Sequence, residues 1–332
     1  MFQSKSMSDI WSRLKAIGYD RDFVLSTILP EWWEDKLADI PSNRALAEMT
    51  LARQLSLPLA HLQNPNKKLA RPKAGGVRLR KWSSAARAEV APTVQVASRL
   101  AQLIALGMRE APAFQGFPDA RAIRGEIFST SPAALVNLAT LLRYCWQRGL
   151  PVAPLNTFPE RSKKILGLAA IYEHRPIIIL ASQRDALPRL AFDLAHELGH
   201  IALKHVAVDK YEVDLESQLE AKEEQEADAF ARELLFGVEN FALSSPRWRK
   251  AEVLAAHCRD YQKDHRMDAG LLIENYGRTM NQWATAGAAL KIAGQNSGAQ
   301  KILREQFAKN FQKDDLPESS LRFIAATTGV GD

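Results

Sequence analysis

The stretch that decides the reading is Leu194-Ala195-His196-Glu197-Leu198-Gly199-His200-Ile201-Ala202-Leu203. It contains the pattern H-E-x-x-H within an apolar run. On a helix, residues four apart share a face. His196 and His200 can therefore present two imidazole nitrogens to one metal ion, and the pattern is that of a zinc site. Glu197, offset by one position, reaches a water on the metal rather than the metal itself. Zinc brings the pKa of such a water to about 7, and a neighbouring carboxylate can then accept its proton. Leu194, Ala195, Leu198, Ile201, Ala202 and Leu203 are apolar on several faces, so the helix must be largely buried. Two histidines and a glutamate inside it need partners. Gly199 costs a helix about 1 kcal/mol relative to alanine, which points to a packing or access requirement at that position.

A catalytic zinc takes a third protein ligand and keeps an open position. The acidic helix expected over about 215–236 offers Glu223, Glu224, Glu226 and Asp228. Its apolar stripe, Ala227, Phe230, Ala231, Leu234 and Leu235, follows the helical period. Glu224 and Glu223 fall within that stripe, Glu226 lies at its edge, and Gln225 faces away. The order of preference is Glu224, Glu223, Glu226. Asp228, four residues after Glu224, is placed to hold a ligating imidazole by its other N–H.

Phe192-Asp193-Leu194-Ala195-His196-Glu197-Leu198-Gly199-His200, followed by Glu224-x-x-Ala227-Asp228-x-Phe230-Ala231-x-x-Leu234-Leu235, resembles the ImmA/IrrE family of metallopeptidases over roughly 131–240. The resemblance implies an α+β, mostly helical, zincin-like fold. It implies zinc on His196, His200 and Glu224, with Glu197 as the catalytic base. It also implies a protein substrate, a transcriptional repressor or toxin-system component, in a stress, phage or mobile-element response. That family's second motif commonly ends in a proline where this chain has Phe236-Gly237. For an oxyanion donor, Tyr211, His205, Tyr172 and His257 qualify by residue type alone. Leu166–Tyr172 is expected as an edge strand on which a peptide could lie extended.

Outward from this core, four regions are expected: 1–64, 65–130, 131–245 and 246–332. The helices of 9–64 are similar to XRE-type helix-turn-helix domains, most clearly at Leu51-Ala52-Arg53-Gln54-Leu55-Ser56-Leu57. The segment that should enter the major groove is Pro30-Glu31-Trp32-Trp33-Glu34-Asp35-Lys36. Its acids would repel phosphates, and its tryptophans do not suit base-edge readout. A domain turned to protein contacts, with Trp32 and Trp33 as anchors, is the competing reading. A further helix, capped by Ser42 or Asn43, should bury Ala45, Leu46, Met49, Ala52 and Leu55.

Lys67–Arg87 carries basic residues with no acid among 66–88, and Val77–Arg80 alternates as a short strand would. That stretch could grip phosphates nonspecifically or serve as a solvated linker. A helix is expected from Ser131-Pro132, then strands near 151–155, 166–172 and 176–180, and a polar helical region beyond 246.

The composition bounds the function. The chain has 332 residues, 46% hydrophobic and 25% charged, with a net charge of +6 from 44 basic and 38 acidic side chains. That excludes a disordered or collagen-like chain. Two cysteines, Cys145 and Cys258, cannot form a C-x-x-C pair, so any zinc must be held by imidazole and carboxylate. A cytoplasmic protein with no membrane span is expected. Two alternatives stand beside the peptidase: an XRE-type DNA-binding regulator with a structural or sensory zinc, and an antitoxin-like interaction module with a vestigial site.

Overall fold

A computed structural model describes residues 7–70, 84–108, 111, 113–160, 162, 165–172, 174–206, 217–311 and 316–331, without the side chains of 84–88 and 217–221. The expected strand Val77–Arg80, most of the basic stretch, and Tyr211 lie outside them. Among the described residues the chain is mostly helical, with one small mixed sheet.

The N-terminal helices are α1 (Met7–Ala16), α2 (Arg21–Thr27), α3 (Pro41–Gln54) and α4 (Leu59–Gln63), with a short 3-10 helix at Asp35–Asp39. Several sequence expectations are corrected here. Glu31–Lys36 forms a turn running into the 3-10 helix, so no α-helix stands where a groove-reading one was expected. Trp33 is buried at 6% exposure while Trp32 is 55% exposed, so one belongs to the core and the other to the surface. In α3 the first residue is Pro41, whose fixed φ and missing N–H suit that position, and Ile40 rather than Ser42 or Asn43 is the cap. Its buried face is Ala47, Glu48, Leu51 and Gln54, while Leu46 and Met49 are exposed. The helix face is rotated because buried polar residues find partners: Glu48 accepts from Arg44 (2.8 Å), and Gln54 bonds Arg99 and the Ser319 carbonyl.

Next come α5 (Ser84–Gly107), α6 (Ala120–Ser129) and α7 (Leu138–Gln147). The helix expected from Ser131 starts only at Leu138. Asn137 and Thr140 form a reciprocal capping box, which is a stronger start signal than Ser131-Pro132. The sheet contains β1 (Val152–Pro154), β2 (Gly167–Tyr172) and β3 (Arg175–Leu180) in the order β1-β3-β2. β1 runs parallel to β3, and β2 antiparallel to it, with Ala169 opposite Ile178.

Strand alternation sorts the sheet's side chains onto two faces. Leu168, Ala170, Ile177 and Ile179 join a core with α5 and the N-terminal helices. Ala169, Ile178 and Leu180 join a second core with α7, α8 (Leu187–Ala202) and α9 (Ser217–Phe236). A sheet covered on both faces loses its polar alternation, which is why β3 is buried throughout. The α8 helix has Pro188 in its first turn and is buried from Leu190 to Ile201.

The remaining helices are α10 (Ala251–His265), α11 (Ala269–Met280), α12 (Trp283–Ile292), α13 (Ala299–Asn310) and α14 (Glu318–Thr328). α10–α12 build a third core of their own. Phe323 and Ile324 of α14 enter the N-terminal core. The first core therefore runs through the N-terminal helices, the sheet and the last helix. No helix among the described residues is long and apolar enough to cross a membrane.

Candidate metal centre

α8 and α9 run antiparallel and close together, with His196 beside Asp228 and His200 beside Glu224. Gly199 makes this approach possible. A Cβ there would stand 3.0 Å from Ala227 Cα and 3.1 Å from its carbonyl oxygen. The glycine in H-E-x-x-H is thus needed for helix packing, and Ala227 is its counterpart.

Three ligand atoms, from His196, His200 and Glu224, lie within 4.8 Å of one another in a buried position. The Glu224 carboxylate approaches His196 Nε2 (3.4 Å) and His200 Nε2 (3.2 Å). The two Nε2 atoms are 3.1 Å apart. Two ring nitrogens and a carboxylate converging in a buried spot suit a divalent cation of borderline softness. Of the other acids, Glu223 is half-buried, and Glu226 turns toward His205.

The remaining ring nitrogens are held as a metal ligand requires. His196 Nδ1 lies 2.8 Å from Asp228 Oδ1, so Nδ1–H donates to the carboxylate and Nε2 is the nitrogen left to face a metal once it has given up its proton. His200 is held by another histidine: its Nδ1 is 3.1 Å from His205 Nδ1, and His205 Nε2 is 3.0 Å from Glu226 Oε2. One proton arrangement satisfies this chain. With its Nε2 lone pair toward a metal, His200 donates from Nδ1 to His205 Nδ1, and His205 donates from Nε2 to Glu226.

His205 is the residue that helical spacing misplaces. Counting five residues onward puts it beyond one turn, but α8 has ended by then. Lys204 takes a left-handed conformation (φ 59°), His205 N–H donates to the His200 carbonyl (2.9 Å), and Lys204 N–H donates to Ile201 (3.1 Å). This double bond pattern closes a helix and folds the chain back, bringing the His205 ring under His200. The usual glycine signal for such a turn is absent from Leu203-Lys204-His205.

Glu197 is buried and packs against the start of β2. A Cβ on Gly167 would come within 2.5 Å of Glu197 Oε1, so a side chain there would displace the carboxylate. Burial pushes the Glu197 carboxyl up, with His200 and His196 opposing and Glu224 and Asp193 adding. Burial raises the Glu224 carboxyl too, but its bonds to His196 and His200 outweigh this and hold it down at about 2. Burial depresses His196, yet its bonds to Asp228 and Glu224 prevail and raise it to about 9 in the metal-free protein. His205 is lowered by burial and by His200, against the pull of Glu223 and Glu226, which favours the neutral ring its accepting role needs.

The end of α9 is secured without the proline of the resemblance. Gly237 adopts φ 84°, and buried Arg124 donates to the Leu234 and Leu235 carbonyls (3.2 and 2.9 Å). Of the other residues considered, Tyr172 lies at the end of β2, and His257 stacks on Trp248 (4.0 Å) in the α10–α12 region.

Residues 153–259 match the family model of the IrrE N-terminal-like domain, peptidase family M78. The matched span runs from β1 into α10 and contains every residue of this centre. The match is to a peptidase domain and supports a metallopeptidase type of function. No curated protein and no solved structure matches the chain significantly.

Proposed function

We propose that this chain is a zinc-dependent endopeptidase of the cytoplasm that cleaves a specific protein partner, a transcriptional repressor or toxin-system component. The observation that carries this reading is the convergence of His196, His200 and Glu224 beside Glu197, which is buried one residue along the same helix. His196, His200 and Glu224 would hold the metal, with Asp228 and the His205–Glu226 pair fixing the two rings. Bound zinc supplies Lewis acidity, polarising a peptide carbonyl and acidifying water.

Glu197 is the general base. It takes the proton of the attacking water and returns it to the departing amine. Its buried position favours this role, since a carboxylate denied full solvation accepts a proton more readily. Gly167 keeps the space the carboxylate occupies. β2, at the sheet's edge beside Glu197, offers an extended backbone along which a peptide can lie. Exposed Trp32 supports protein contact by the N-terminal helices over base readout.

Glu197→Gln is expected to retain zinc and lower the cleavage rate by about 10²–10⁴-fold. Glu224→Ala is expected to lose zinc. Metal analysis of the purified variants, alongside cleavage assays on candidate repressor and toxin-system proteins, tests both. Full cleavage by Glu197→Gln would overturn the mechanism.

A further inference from the structure

One turn along the α8–α9 seam from His196, α11 joins the two helices around a cavity of about 120 Å³. Asp193, four residues before Glu197, and Arg232, four after Asp228, both line it. Each step is about 6 Å along its helix. The cavity therefore adjoins the candidate metal centre on the same two helices.

Its charge is lopsided. Arg184, Arg189, Arg232 and Arg278 line it against Asp193 and Glu274, four cations to two anions. Arg189 is paired with Glu274 (3.0 Å), and Arg184 stands 3.9 Å from Asp193. The other two are steadied by neutral groups. Arg278 lies over the Phe192 ring (4.6 Å to its centroid), and Arg232 Nε donates to the Glu239 carbonyl (2.5 Å). Stacking and a carbonyl bond orient a guanidinium without cancelling its charge. Oriented guanidinium groups at a cavity mouth recognise carboxylate or phosphate oxygens.

We propose that this cavity is an anion subsite that seats an acidic side chain of the polypeptide substrate, one helical turn from the candidate metal centre. The word substrate rests on the peptidase reading above; the charge recognition does not. The same chemistry could be satisfied by a free phosphate, and the test separates the two sources.

The full-length chain carrying Glu197→Gln, loaded with zinc, is titrated into two labelled peptides of equal length, one bearing glutamates and the other glutamines. Fluorescence anisotropy is expected to show the glutamate peptide binding about tenfold more tightly. Arg232→Gln with Arg278→Gln should erase that preference; Arg278 is exposed and Arg232 half-buried, and circular dichroism confirms folding. Equal affinity for the two peptides, or a preference surviving the double substitution, overturns the proposal. Inorganic phosphate binding more tightly than the glutamate peptide, and lost in the double variant, assigns the cavity to a free anion and overturns the substrate assignment. A charge preference in a wild-type chain that cleaves no partner counts against the peptidase reading alone. Partner cleavage with no charge preference counts against the subsite alone.

Discussion

At the scale of single residues, the centre depends on where protons sit. In the metal-free protein Asp228 and Glu224 hold His196 charged up to about 9, from an ordinary value of 6.5. A charged His196 therefore stabilises the metal-free fold fully below 6.5, and that stabilisation is lost as pH rises through 9. Metal binding runs the other way, because it requires the Nε2 lone pair. Zinc should displace about one proton from His196 at pH 7.5, and zinc affinity should rise with pH toward 9. Calorimetry in buffers of different ionisation enthalpy measures this directly; zero proton release would refute it. His205→Ala, which removes the support of His200 without removing a ligand, should weaken zinc binding by about 10–100-fold. Competition with a chromophoric chelator reads that change.

At the scale of elements, two glycines control how the parts approach. Gly199→Ala removes the helix penalty of about 1 kcal/mol but forces a methyl onto Ala227, and overpacking of that kind costs about 1–3 kcal/mol. A net loss of stability with weakened zinc binding is expected, read from thermal unfolding with and without metal. Gly167→Ala presses on the Glu197 carboxylate instead. It should lower kcat while leaving zinc content intact, as metal analysis of the same sample would show. Much of this level was legible in the sequence: the strand pair, α8 with Pro188 in its first turn, and the acidic helix. The end of α8 was not, since Lys204 takes a conformation that glycine normally announces. Nor was the face of α3, where Gln54 is buried because Arg99 and the Ser319 carbonyl, distant in the chain, supply its partners, while Glu48 is paired within the helix by Arg44.

At the scale of the molecule, the last helix is tied to the first part of the chain. Gln54 bonds the Ser319 carbonyl, and Asn156 and Thr157 bond α14 near Thr327. Phe323 is fully buried in the core shared with the N-terminal helices. Phe323→Ala should cost about 3–5 kcal/mol. Because the core is continuous, the loss should appear in the same unfolding transition that exposes Trp33 and Trp11. A separate N-terminal transition, with the rest of the molecule unaffected, would contradict that coupling.

The sequence by itself determined the local chemistry: two imidazoles and a carboxylate on one helix, and a second helix whose apolar stripe contains Glu224. Those follow from helical period and residue type, which neighbours in space do not alter. The tertiary structure decided the rest. It folded His205 back onto His200, made Gly167 and Gly199 points of close approach, and gathered four arginines from α9, α11, α8 and the segment before it around one cavity. Each of these needs groups far apart in the chain to meet, and such meetings are set by packing across elements rather than by the period within one.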